Sequence, residues 1–210
     1  MKDLFNFVAY NITMQNPANK EHIIETISRF YTKLADVTMT DFINAAEVFT
    51  LDKPTLLVKE GQRADKVYFV ADGLARAYYL KDGKEITDWF AFENDFICSI
   101  AGFFENVPSS HFVETLEPAT ILELSKKAVF ELSGKHHDFE RLGRIIATQT
   151  MLSLRKRIIA IQFETAQQKY QNLINNSPDI VRRVPLTHIA TYLGITLETL
   201  SRVRNQKRRI

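Results

Sequence analysis

The spacing of apolar residues changes period twice along the chain, and each change predicts a change of element. Between residues 20 and 49, Ile23, Ile24, Ile27, Phe30, Tyr31 and Leu34 recur at helical spacing. A second helical piece is expected near Asp41–Phe49, and residues 1–19 show no clear period and stay unassigned. From Pro54 the pattern becomes that of strands. LLVKEG and DKVYFVADGLARAYYLKDGKEITDWFAFENDFICSI are β-branched and aromatic runs broken by glycines. Lys81-Asp82-Gly83-Lys84, between YYL and EITDWF, predicts a hairpin with a type I′ turn, because Asp-Gly tolerates two positive φ angles. Asp72-Gly73 marks another bend, and residues 111–126 add strand interrupted at Glu117-Pro118. Several short strands at this spacing predict an antiparallel sandwich or barrel.

After Lys126 the helical period returns. Leu142, Ile145, Gln149, Leu152, Lys156, Ile159 and Phe163 alternate at spacings of 3 and 4, the seam of a heptad pattern. No Pro or Gly falls between Arg144 and Ser177, so the helix is expected to run on through Phe163–Asn176. A helix of that length following a barrel either lies across its own domain or pairs with its copy in a dimer. Pro178 then interrupts, and Val184-Pro185 opens a new helix, proline being tolerated in a first turn.

The closing segment, HIATYLGITLETLSR, is the most informative stretch. Leu186, Ile189, Ala190 and Leu193 share one face of a short helix. Gly194 ends it, Thr196 is suited to cap the next helix, and Leu200 and Val203 supply the buried side of that helix. Two helices joined by a glycine-led turn form the helix-turn-helix pattern. The bland alternative is a plain helical hairpin inside a larger core. Once Leu200 and Val203 are buried, Leu197, Glu198, Ser201 and Arg202 are left facing outward. Such groups can read base edges in a major groove. Thr196, Thr199, Arg204, Lys207, Arg208 and Arg209 suit contacts to the DNA backbone.

Charge strengthens that reading. The 210 residues carry a net charge of only +2. From Arg182 to Ile210, however, seven basic residues face one acid, Glu198, for +6, so the rest of the chain carries −4. A polyanionic partner for this end is expected. Composition is otherwise that of a soluble globular protein, with no apolar run long enough to span a bilayer and no secretory signal. The single cysteine, Cys98, excludes an internal disulfide and any site built on several thiolates of one chain, which fits a reducing cytoplasm.

With these residues assembled, the chain resembles the Crp/Fnr family of transcription regulators from about Ile23 to Arg204. The likeness rests on KEGQRADKVYFVADGLARAYYLKDGKE and NDFICSIAGFF in the first half, and on IATYLGITLETLSRVR in the second. The resemblance implies an α+β chain: a jelly-roll-like antiparallel β-roll sensor with N-terminal helices over 1–137, a dimerisation helix over 138–165, and a helix-turn-helix domain over 166–210. It implies a homodimer seamed by Leu142, Ile145, Gln149, Leu152, Lys156 and Ile159, with a palindromic promoter site and RNA polymerase as partners. Glu198 and Arg202 correspond to the family's base-reading acid and arginine, and Ser201 to a serine used beside them in one branch. Leu197 stands where the cyclic-AMP branch has arginine, so site preference should differ from that branch. The family holds a cyclic nucleotide with a glutamate and an Arg-Ser pair, and those positions fall here on Ser99 and on Ser109-Ser110. No arginine or lysine lies between Lys84 and Lys126, so cyclic AMP is not expected to bind in the family mode. The pocket is left to a different small-molecule effector or to none. The family's β-hairpin wing after the recognition helix is not expected here, and the basic tail could take its place.

Other residues invite chemistry less strongly. Cys98 reads as a small buried hydrophobe rather than a reactive thiol. His136-His137 reads as a solvated loop without a third metal ligand. A metal-binding cupin would share the strand pattern, but His111 is the one histidine within the strand region. The expectation is a non-enzymatic, cytoplasmic regulator without cofactor. The alternatives are a cupin-like small-molecule-binding protein and a dimerising module that has lost DNA binding.

Overall fold

A computed structural model describes residues 13–14 and 17–206. The chain forms an antiparallel β-roll flanked by helices, followed by a long helix and a cluster of short ones. Ahead of the roll lie α1 (Pro17–Phe30) and α2 (Asp36–Ala45). The strands are β1 (Thr13–Met14), β2 (Glu47–Leu51), β3 (Leu56–Val58), β4 (Lys66–Asp72), β5 (Ala75–Lys81), β6 (Lys84–Ala91), β7 (Phe96–Cys98), β8 (Phe112–Thr115) and β9 (Ala119–Ser125). They make a five-stranded sheet in the order β1-β2-β9-β4-β7 and a four-stranded sheet in the order β3-β8-β5-β6. All pairings are antiparallel.

Alternation along the strands separates two cores. On β4, Tyr68 and Val70 point into the roll, where they meet Ile121, Val113, Ala75 and Ala77, while Phe69 points to the opposite face. There it joins Leu122, Leu124, Ile24, Ile27, Phe42 and Phe139 beneath the helices. Small residues inside the roll let the two sheets approach closely. The Lys81–Lys84 hairpin has φ of +52° at Asp82 and +74° at Gly83, both positive as a type I′ turn requires. At Gly73, with φ +96°, an added Cβ would sit 2.7 Å from the Pro118 carbonyl oxygen, so the bend needs glycine for space as well as for φ.

Three expectations are corrected. The second helix ends at Ala45, earlier than the spacing suggested, and Glu47–Leu51 is strand because Val48 pairs with Leu122 in the sheet. After α3 (Lys126–Lys135), the long helix α4 covers His137–Phe163 and stops, so it does not run on to Ser177. Thr165 opens α5 (Ala166–Asn176) with a capping box: its hydroxyl accepts from Gln168 N, and Gln168 Oε1 accepts from the Thr165 N–H at 2.9 Å. A capping box breaks a helix without proline or glycine. Finally, His136 is no solvated loop residue. It is buried between α3 and α4, with Nε2 2.7 Å from Asp41 Oδ2. Asp138 beside it caps α2, accepting from Ala35 N at 2.7 Å and from Thr38 Oγ1 at 2.8 Å.

Candidate nucleic-acid interface and sensor cassette

The C-terminal cluster adds α6 (Ile180–Arg183), α7 (Leu186–Leu193) and α8 (Leu197–Gln206). Gly194 takes φ +66° at the end of α7, and its N–H bonds back to the Thr191 carbonyl. Thr196 caps α8, accepting from Thr199 N at 3.1 Å. Ile189, Ala190 and Leu193 of α7 bury against Leu200 and Val203 of α8, together with Tyr170, Ile180 and Val184. Among the outward candidates, Leu197 is 40% exposed, Glu198 and Arg202 are exposed, and Ser201, Thr199 and Arg204 are half-buried. The Glu198 carboxyl is held below its usual range by its own backbone N–H and then by the Thr196 hydroxyl. It is therefore an ionised acceptor at the positive end of α8. The hydroxyls of Thr196 and Thr199 bond each other in the cap, at 3.1 Å. Lys207, Arg208 and Arg209 lie outside the described residues.

The polar side of α7 meets the β-roll, which the sequence reading did not anticipate. Arg76 of β5 is 2% exposed. Its guanidinium reaches Glu114 at 2.6–2.7 Å, Thr87 Oγ1 at 3.3 Å and Glu85, and it lies 2.8 Å from His188 Nδ1. A guanidinium only donates, so His188 Nδ1 accepts and the imidazole is neutral. Burial and then the Arg76 charge hold the His188 pKa below its ordinary value, with Glu85 opposing. Thr191 Oγ1 accepts from Thr87 N at 3.2 Å, and Tyr192 packs on Phe90 with ring centroids 5.0 Å apart. Arg157 of α4 lies 4.7 Å from the Tyr192 ring centroid while contacting Asp88. Arg183 bonds Glu93 at 2.6 Å and Glu117 at 2.5 Å, and both acids raise its pKa. The +6 counted from Arg182 onward therefore overstates the charge free for a polyanion, because Arg183 is neutralised by Glu93 and Glu117. His188, Thr191 and Tyr192, spaced i, i+3, i+4, were a legible signal of this second contact face.

In the cassette, Ser99 and Ser109 are buried, and Ser109 Oγ donates to Ser99 Oγ at 2.8 Å. Ser99 Oγ also accepts from Gly102 N at 3.3 Å. A Cβ on Gly102 would lie 2.9 Å from that of Ala64. Ser110 is exposed. The three serines expected to line one pocket are thus not brought together: two close on each other and the third points to solvent. Cys98 is buried and its thiol pKa is pushed up to about 12 by burial. Among the described residues no cluster of three or more His, Cys, Asp or Glu could hold a metal ion. No described helix is long and apolar enough to cross a membrane.

The expected dimer seam divides. Leu142 is 2% exposed within its own chain's core, so it is not available to a partner, for reasons of packing against Phe139 and Phe42. Ile145 is half-buried, whereas Gln149, Leu152, Lys156 and Ile159 are exposed, as is Phe163 at 78%.

An antiparallel roll, a long helix and a C-terminal helix-turn-helix make up the fold. The profile of the cyclic nucleotide-binding domain matches residues 48–136. Solved structures with this fold include a CooA mutant from Carboxydothermus hydrogenoformans, at TM-score 0.65 and 17% identity, covering 95% of this chain and 87% of that one. CLP from Xanthomonas campestris, described as c-di-GMP responsive, has a TM-score of 0.64 at 16% identity, covering 83% and 92%. A Crp/Fnr-family transcriptional regulator from Eubacterium rectale has 0.64 at 14% identity, covering 83% and 84%. No curated protein matches in sequence. Residues 48–136 are thus similar to the cyclic nucleotide-binding domain, and the fold is one shared with transcription regulators that include a Crp/Fnr-family member.

Proposed function

We propose that this chain is a cytoplasmic, homodimeric, sequence-specific DNA-binding transcription regulator, without enzymatic activity, that does not respond to cyclic AMP in the family mode. The observation that carries the reading is α8 itself. Leu200 and Val203 are buried, while Glu198 and Arg202 stand exposed on its free side. In the major groove Arg202 would take guanine O6 and N7, and Glu198 cytosine N4, with Ser201 and Leu197 beside them. Arg204 and the basic residues 207–209 would contact phosphates. Pairing along α4 through Ile145, Leu152 and Ile159 would set two recognition helices on a palindromic promoter site, where RNA polymerase is the further partner. The closure of Ser99 on Ser109, without a cation, is what supports the cyclic-AMP statement. An electrophoretic mobility shift on the DNA upstream of its own gene tests the reading. A salt-sensitive shift is expected, and no shift at low salt would overturn it.

A further inference from the structure

The helix-turn-helix does not hang from the roll on a tether; the two share a core. Leu74, at the Gly73 bend, is 0% exposed and lies with Phe90 in the same buried cluster as Ile180, Val184 and Leu193. Apolar burial is non-directional, so this seam holds α6 and α7 near the roll without fixing their angle. Directional bonds do that. The Arg183 guanidinium of α6 forks onto Glu93 at 2.6 and 3.1 Å, and reaches Glu117 at 2.5 and 3.1 Å. Glu93 follows β6 and Glu117 lies between β8 and β9, so two separate connections of the roll clamp one planar group. At α7, the edge strand β6 is covered. The Thr87 N–H donates to Thr191 Oγ1 at 3.2 Å, and the Thr87 carbonyl accepts from Arg157 at 3.3 Å.

Contact of this kind either masks a reading surface or aims it. Glu198 and Arg202 stay exposed on α8 while α6 and α7 meet the roll, so the surface is not masked. The covalent route from α4 to α5 is Glu164-Thr165, whose φ and ψ angles leave the orientation of the cluster open once the bonds are removed. We infer that Arg183 is a positioning residue for DNA reading. Clamped to Glu93 and Glu117, it sets the orientation of α8 and with it the half-site spacing the protein accepts, without touching a base. This rests on the regulator reading of α8. One base pair inserted between half-sites turns the second by about 34° and carries it about 3.4 Å away. Two clamped recognition helices do not follow that change, whereas two loosely held ones do.

Two sets of variants break the clamp with opposite changes of charge. Arg183→Ala removes a positive charge, and Glu93→Gln combined with Glu117→Gln removes two negative ones. An effect common to both is therefore not one of non-specific attraction. Mobility shifts use duplexes bearing the site the parent binds, with none, one or two base pairs inserted between its half-sites. The parent should lose about tenfold or more in affinity for one inserted base pair, and either variant less than about threefold. The guanine preference assigned to Arg202 should be the same in all three proteins. Amide hydrogen exchange without DNA reads the clamp itself. Peptides from β6 and α7 should exchange about tenfold faster in both variants while β4 and β9 keep the parent's rates. Variants that retain the parent's spacing profile overturn the inference. So does a variant that binds the original site more tightly than the parent, since the roll would then be restraining α8. Exchange that is unchanged, or faster everywhere alike, also overturns it, because the clamp is then absent or merely structural. A parent that shifts no DNA overturns the regulator reading and this inference with it. A parent that shifts DNA at one spacing, with variants that match it, overturns this inference alone.

Discussion

Replacing Arg76 by methionine keeps an unbranched apolar stem and removes the guanidinium charge where α7 meets the roll. Arg76 is 2% exposed; of its carboxylate partners, Glu114 is 22% exposed and Glu85 41%. Removing one member of a buried ion pair costs about 3–5 kcal/mol, because the other is left desolvated and unpaired. Glu85 can rehydrate where it stands, whereas Glu114 reaches water only in part, which places the cost at the low end, about 3 kcal/mol. At about 2–4 °C per kcal/mol for a chain of this size, the melting midpoint should fall by about 6–12 °C. Thermal unfolding followed by circular dichroism measures it. A double-mutant cycle with His188→Ala then isolates the share held between the domains, through the 2.8 Å contact, and a coupling of about 0.5–1.5 kcal/mol is expected. A midpoint within about 2 °C of the parent, or a coupling below about 0.3 kcal/mol, would refute the argument that this arginine ties α7 to the roll.

Three further outcomes follow from the same geometry. Gly194→Ala meets no atom within 4 Å but retains φ +66°, so its cost is conformational, about 1–2 kcal/mol, read as a lower melting midpoint with an unchanged spectrum. Because the His188 pKa is lowered in the folded chain, its contribution is fully present above the unfolded value of about 6.5 and is lost as pH falls below it. Thermal midpoints taken between pH 8 and pH 5 should therefore drop less in His188→Gln than in the parent. Leu152→Asp combined with Ile159→Asp changes exposed positions, so the protomer should melt as before while light scattering shows its mass halved relative to the parent.

The sequence made the helix-turn-helix legible almost to the residue, because Gly194, Thr196, Leu200 and Val203 act locally: one sets φ, one caps, and two face inward. The Asp82-Gly83 hairpin was legible for the same reason. Features that depend on distant partners were not. The break at Glu164–Thr165 hides in a Thr and a Gln that form a capping box only when helix is present on one side alone. The strand at Glu47–Leu51 depends on Ala119–Glu123 as its pairing partner, some seventy residues away. The serines at 99 and 109 could be assigned to a pocket by position, but whether they open a cavity or close on each other depends on packing of the Gly102 turn. Nothing local to β5 marks Arg76 as buried; its burial and its contact with His188 follow from where α7 docks. Leu142 carried a heptad spacing that the first turns of α4 spend on their own core.

The central claim is that α8 reads bases through Glu198 and Arg202, and selection of bound sites from a random duplex pool tests it most directly. The account predicts enrichment of a palindrome whose half-sites lie about 10–10.5 base pairs, or a multiple, apart. Repeated with Arg202→Ala, the selection should return the same spacing with one guanine position per half-site no longer specified, at an affinity cost of about 1–3 kcal/mol. A pool that emerges without any enriched sequence, or an Arg202→Ala protein that weakens binding equally at every sequence, would contradict it.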